Sequence, residues 1–166
     1  MSNSEKDPRN ALLDIAHDFD NAMLVTHDLD GGLRARPMAV GQLNNNGELW
    51  FVTGRRSGKV EEIRADDRVL VTMQGKTKQV SLTATARVVD DRAKLESLWK
   101  KSWDVWFPDG PRSPNAVLLR VDASEGEYWD ASGAQGLQFV FEAAKAFVKG
   151  EKIDEGEAGD HGKARL

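Results

Sequence analysis

Residues 28–54 read DLDGGLRARPMAVGQLNNNGELWFVTG. Two runs with strand character, 34–43 and 48–54, alternate with two clusters of turn residues. Asp-Gly-Gly at 30–32 has hairpin-turn chemistry, because glycine adopts positive φ without a Cβ clash. Asn-Asn-Asn-Gly at 44–47 repeats the signal. Upstream, AMLVTHD (22–28) is a further strand. Links this short leave no room for a crossover helix, so an antiparallel meander of three strands is expected.

Outward from that core, DPRNALLDIAHDFDNAM (7–23) opens with Asp7 as a helix N-cap and Pro8 at the first helical position. Leu12, Ile15, Phe19 and Met23 then recur at spacings of three and four, one apolar helix face. SGKVEEIRADD (57–67) reads as a short helix, with Ser57 as N-cap and Val60 and Ile63 turned inward. RVLVTMQG (68–75) and KQVSLTATARVVD (78–90) are two strands joined at Gly75-Lys76-Thr77. Ser81, Thr83 and Thr85 alternate along the second and suit a solvent face. DRAKLESLWKKSWDVWF (91–107) begins as a helix that PDGPRSP (108–114) breaks. NAVLLRVD (115–122) and EGEYWDA (125–131) form a last pair of strands, and LQFVFEAAKAFVKG (137–150) a terminal helix. The remaining stretch, 151–166, is rich in charge and glycine and is expected to be a disordered tail. About seven mostly antiparallel strands predict a mainly β (α+β) domain over residues 1–150. The architecture expected is a closed or half-closed barrel with peripheral helices, since closure removes exposed edges.

A chain of 166 residues suits one domain. There is no cysteine, so there is no disulfide framework and no thiolate chemistry. A net charge of −4 provides no general basic field for nucleic acid. No stretch approaches the ~18 apolar residues of a membrane span. The polar start MSNSEKDPRN lacks the apolar region of a secretory signal, and a cytoplasmic address is expected.

Chemistry concentrates in VTGRRSGK (52–59). The chain leaves a strand, turns through Gly54 and enters a helix at Ser57, with Lys59 in its first turn. A helix start presents free backbone N–H groups and a positive dipole end, so Ser57 and Lys59 there suit an anion, most naturally a phosphate. A solvated basic turn capped by a serine is the alternative, and the spacing is not that of a nucleotide P-loop. In RARPMAV (34–40), alternation sets Arg34, Arg36 and Met38 on one strand face. Pro37 belongs at an edge or a bulge, where its missing N–H loses no ladder bond. Arg36 then joins Ser57 and Lys59 in one phosphate site, or else forms one half of a structural ion pair. Trp99, Trp103 and Trp106 recur at helical spacing and suit either core packing or a flat ligand or subunit surface. His17, His27 and His161 form no metal-ligand pattern, and no nucleophile elbow is present. Any reaction would draw its chemistry from a cofactor.

The chain resembles the FMN-binding split β-barrels of the pyridoxamine 5′-phosphate oxidase-like superfamily, in particular the general stress protein 26 branch. The resemblance rests on RPMAV (36–40), ELWFVTGRRSGKVEEI (48–63), QVSLTATARVVDDRAKLESLW (79–99), VWFPDGP (105–111) and VLLRVDASEGEYWD (117–130). It implies an antiparallel split barrel and a homodimer with FMN at the subunit interface. It implies that Arg36, Ser57 and Lys59 hold the phosphate, and that Pro37-Met38 and Val52-Thr53 lie along the ribityl chain and ring. It also implies that Gln79 directs its amide at the ring from a neighbouring strand and that Trp106 approaches from the partner subunit. The resemblance leaves open redox turnover on a small molecule or flavin binding without turnover, and no catalytic residue is assigned. Three departures from the biosynthetic oxidase argue against pyridoxamine 5′-phosphate oxidation itself. Val40-Gly41 stands where a lysine follows the first motif, Gly58 replaces an arginine, and no Arg/His substrate motif follows Trp129. Arg55 or Arg56 is the candidate to compensate the phosphate grip, and Arg34 is unassigned.

Overall fold

Asp7 caps the first helix, accepting from the Arg9 backbone N–H, with Pro8 at its first position. In the computed structural model, which describes residues 7–133 and 160–166, this helix is α1 (Pro8–Ala16). It ends well short of Met23. Asn21–His27 is strand β1, which pairs with strands on both sides, and this two-sided ladder outweighs the helical spacing of Phe19 and Met23. β2 (Leu33–Ala39) returns antiparallel along β1, with Gly31 at φ +88° in the connecting turn.

The run read as one strand over 34–43 changes partner in the middle. The Val40 N–H bonds Asp20 O at 2.8 Å, while the next N–H, of Gly41, bonds Trp50 O at 2.8 Å. The two-residue β3 (Gln42–Leu43) therefore pairs with β4 (Glu48–Gly54) through a turn with Gly47 at φ +83°. A Cβ on Gly41 would stand 2.8 Å from the Trp50 carbonyl oxygen, so the crossing requires glycine. The expected three-strand meander is thus two separate hairpins, and β4 takes its long partner from the end of the chain.

Helix α2 (Gly58–Ala65) follows β4, then β5 (Arg68–Gln74), β6 (Lys78–Val89) and α3 (Arg92–Leu98). The helix expected to reach residue 107 stops at Leu98 and gives way to two 3-10 turns, Lys101–Val105 and Gly110–Arg112. β7 (Ala116–Asp130) is one long strand where two were expected. Its register against β6 jumps at Thr83/Ala84, leaving Ser124 as the extra residue of a bulge. The polar step at 122–125 that reads as a turn is that bulge.

The eight-stranded sheet runs β2-β1-β5-β6-β7-β4-β3, with β8 (Asp160–Arg165) on β7. It curls into a half-barrel around Leu24, Phe51, Val71, Leu82, Leu119 and Val121, and α1 adds Leu12 and Ile15 to that core. Trp50, Leu95, Ala116 and Leu118 form a second cluster under α3. Pro37 lies on β2, a terminal strand, in agreement with its missing donor. β8 lies within the stretch expected to be a disordered tail. It is held by pairing with residues 125–130, by Trp129 stacked on His161 at 5.1 Å, and by Leu166 against the core. The expected helix 137–150 and residues 151–159 lie outside the described residues.

Candidate functional site

β2 and β4 are far apart along the sheet, yet the curl brings them together where the barrel is split. A cleft of about 460 Å³ opens there. Pro37, Met38 and Ala39 form one wall, and Val52, Thr53 and Gly54 the other. Asn21 lies along it, Lys59 closes one end, and Trp103, Trp106 and Phe107 close the other. The two walls come from the two motifs that the sequence singled out.

The Lys59 end is built by the strand-to-helix turn. Lys59 Nζ donates to Thr53 Oγ1 at 2.9 Å, and Ser57 Oγ lies 3.3 Å from the same hydroxyl. Ser57 precedes α2, but its side chain makes no capping bond to the helix. Its hydroxyl is directed to Thr53, and the helix start keeps its donors without a side-chain acceptor. Burial pushes the Lys59 ammonium below its usual 10.5, repulsion from Arg36 adds to this, and Glu62 opposes both. Among the described residues no carboxylate forms an ion pair with Lys59. A part-buried cation held by one neutral hydroxyl, beside an uncapped helix start, is complementary to an anion.

Arg36 has a different set of partners from the one expected. Its Nη2 donates to Glu62 Oε2 at 2.8 Å and its Nη1 to Thr26 Oγ1 at 2.5 Å, while Thr26 donates to Glu62 at 2.5 Å. Thr26 and Glu62 are both buried. Burial alone would raise the Glu62 carboxyl, but the bonds from Thr26 and Arg36 and the charges of Arg36 and Arg34 hold it below the usual 4.5. Arg36 is therefore one half of a structural ion pair and does not line the cleft. Its charge nonetheless reaches Lys59. Arg34 Nη1 lies 3.8 Å from Glu62 and its Nε 3.5 Å from Asp28, at the exposed rim of the same cluster. Sequence reasoning missed Glu62 and Thr26. Glu62 sits on the inward face beside Ile63, and its only signal was an arginine on a neighbouring strand in need of a counter-charge.

Gln79 does not line this cleft. It is exposed at the start of β6, opposite Gln74 and Trp129. β6 is separated from β4 by β7, and Trp129 lies at the other end of β7 from Val117, the partner of Thr53. The tryptophans divide. Trp103 is buried and packs edge-on to Trp99, which also meets Phe107. Trp106 lines the cleft of its own chain and is 77% exposed, next to an equally exposed Val105. Lys100 Nζ bonds the Val40 carbonyl at 2.8 Å, which ties this turn to the strand break at Gly41. Arg55 faces away from the cleft, pairing with Asp90 at 2.6 Å. No cluster of metal-ligating side chains occurs among the described residues, and none of their helices is long and apolar enough to cross a membrane.

Comparison with known proteins agrees with this fold. The family described as "Pyridoxamine 5'-phosphate oxidase like" matches residues 7–154. A structure from Jannaschia, described as a candidate general stress protein 26, superposes with a TM-score of 0.70 at 24% identity over 95% of this chain and 97% of that one. The general stress FMN/FAD binding protein of Xanthomonas citri gives 0.66 at 25% identity over 78% and 92%. Both share the antiparallel split barrel with peripheral helices. The protein bli-3 of Neurospora crassa is 27% identical over 119 residues, 64% of this chain and 57% of that protein. The chain thus spans little more than half the length of that curated relative. With a family match that runs through nearly every described element, the chain belongs to the pyridoxamine 5′-phosphate oxidase-like family.

Proposed function

We propose that the cleft binds a flavin, FMN in particular, and that the protein is a general-stress-type flavoprotein active in redox chemistry on a small molecule. The observation that carries this reading is the two-ended character of the cleft. One end offers Lys59, which has no carboxylate partner among the described residues, with Ser57 and a helix start that has no side-chain cap, and these suit a phosphate. The rest is walled by Pro37, Met38, Ala39, Val52 and Trp106, which suit a flat, largely apolar ring. The Xanthomonas citri relative, described as binding FMN or FAD, supports the same ligand class.

In this reading Lys59 and Ser57 take the phosphate and Thr53 orients the ammonium. Arg36, fixed by Glu62, adds positive charge behind them. Pro37-Met38 and Val52-Thr53 line the middle of the ligand. Bound flavin supplies the electron transfer, and the protein binds, orients and keeps water from it. The exposed Val105 and Trp106 at the mouth suit a second copy of the chain, so the site is completed in a homodimer. The exposed Gln79, remote from its own cleft, then serves the cleft of the second protomer.

Purified protein should show visible flavin absorption bands or take up added FMN with quenching of its fluorescence. A colourless preparation that leaves FMN fluorescence unchanged overturns the reading. Among the described residues Lys59, at the phosphate end, is the only ionisable side chain in the cleft wall, and this favours flavin binding without turnover as a second reading. Stopped-flow reduction by NADH or NADPH separates the two. Reduction no faster than that of free FMN supports the binder.

A further inference from the structure

The hydrogen-bonding side chains of the cleft differ between its two ends. At the phosphate end Thr53, Ser57 and Lys59 engage one another. At the other end the wall carries Asn21 and the indoles of Trp103 and Trp106. An indole donates one hydrogen bond and accepts none, whereas an amide offers two donors and an acceptor. Among the described residues the Asn21 side chain makes no hydrogen bond.

Strand pairing fixes where that amide stands. Asn21 is the first residue of β1 and lies directly opposite Ala39 of β2. Opposed residues project from one sheet face, so Asn21 shares the face of Ala39, which also lines the cleft. Its neighbour Ala22 points the other way, into the core. Close by, a Cβ on Gly41 would stand 3.3 Å from Trp103 Cη2, which sets Asn21 at the tryptophan end. Leu24 stands opposite Arg36, whose charge reaches Lys59. Asn21 is three residues before Leu24, and thus about 10 Å along β1 from the level of Arg36.

We propose that the Asn21 amide pairs with the imide edge of the flavin ring, donating to a ring carbonyl and accepting from the imide N–H. It thereby fixes how the ring lies in the cleft. The inference rests on the flavin reading of the cleft. The two edges of the ring differ in chemistry. The dimethylbenzene edge asks only for apolar contact, while the pyrimidine edge carries an N–H between two carbonyls. Of the side chains at the tryptophan end, Asn21 alone can accept from that N–H. Its donor and acceptor stand side by side and match the N–H and one carbonyl together, as an asparagine matches the edge of adenine.

The test is titration of wild type and Asn21→Leu with FMN and with FMN methylated at the imide nitrogen. The methylated flavin keeps the phosphate and both carbonyls but has no imide N–H to donate. Asn21 is exposed at a strand end, so the variant should keep the wild-type Tm. Wild type should bind the methylated flavin about tenfold more weakly than FMN, the effect of one hydrogen bond left unmade. Asn21→Leu should bind FMN about tenfold more weakly than wild type and treat the two flavins alike. The carbonyl stretch of bound FMN should move to higher frequency in the variant, which loss of a merely structural contact would not produce. If both proteins discriminate equally between the flavins, the inference falls although the cleft binds flavin. Loss of discrimination in Gln79→Leu but not in Asn21→Leu also overturns it and assigns the imide edge to the second protomer. If wild type takes up neither flavin, the flavin reading itself falls, and the inference with it.

Discussion

Arg36 Nη2 and Glu62 Oε2 meet at 2.8 Å beneath the strand-to-helix turn, with Thr26 bonded to both. The contact joins β2 to α2 and so sets the distance between one wall of the cleft and the helix that carries Lys59. Removing one partner leaves the other as a buried, uncompensated charge. Glu62→Ala and Arg36→Ala should each destabilise the protein by about 3 kcal/mol, the low end for breaking such a pair because Arg36 is 20% exposed. The double variant should lose much less than the sum. Urea denaturation of the four proteins measures this, and additive losses would mean that the pair is not coupled.

The same pair has a pH signature. The Glu62 carboxyl is held below its usual 4.5, so its contribution to stability is fully present above that value. It is lost as pH falls through the lower folded value. The stability gap between wild type and Glu62→Gln should therefore be constant near neutrality and shrink as pH drops below about 4.5. Denaturant midpoints from pH 7 down to 3 (roughly the range in which carboxylates titrate) check this, and a gap that widens on acidification contradicts it.

Lys59 gives the opposite dependence for ligand affinity. Burial and Arg36 push its ammonium below 10.5, and a bound phosphate favours the protonated form. FMN binding should weaken as pH rises from neutrality into the alkaline range. Lys59→Met should lower affinity roughly tenfold to a hundredfold, the effect of one charge-assisted hydrogen bond, and abolish that pH dependence. Fluorescence titration across pH measures both. A variant that keeps the wild-type profile would place the titrating group elsewhere.

Gly41 marks the change of partner from the β1 side to β4. A Cβ there would stand 2.8 Å from the Trp50 carbonyl oxygen and 3.3 Å from Trp103 Cη2. Neither a strand carbonyl nor a buried tryptophan yields easily, so Gly41→Ala should cost about 1–3 kcal/mol, as overpacking does. It should also shift the tryptophan fluorescence. Thermal melts check the first, and an unchanged Tm would mean that the crossing relaxes freely.

Local chemistry was legible in the sequence wherever it alone decides the structure. The glycine turns at 31 and 47, the Asp7 cap with Pro8, and the edge placement of Pro37 follow from backbone sterics and are as expected. The turn from β4 to α2 was legible for the same reason, and it brought Thr53, Ser57 and Lys59 together. What pairing decides was not legible. Phe19 and Met23 keep helical spacing, yet Met23 sits opposite Pro37 and Thr72 in a sheet. Ser124 reads as a turn residue and is a bulge. Glu62 drew no reading because its partner Arg36 is on β2, 26 residues away in sequence. The distance of Gln79 from the cleft of its own chain is set by strand order, which pairs it with Trp129 at the remote end of β7.

β7 shares one edge between two strands: β4 covers its first half and β8 its second. Without β8, the backbone from Glu125 to Asp130 would be an open template carrying Gly126, Tyr128 and Trp129, the kind of edge along which chains aggregate. With β8 in place, the sheet instead ends there on Asp-His-Gly-Lys-Ala-Arg, a short strand whose charges repel a further strand. β8 thus trades an edge that invites pairing with another chain for one that its charges protect.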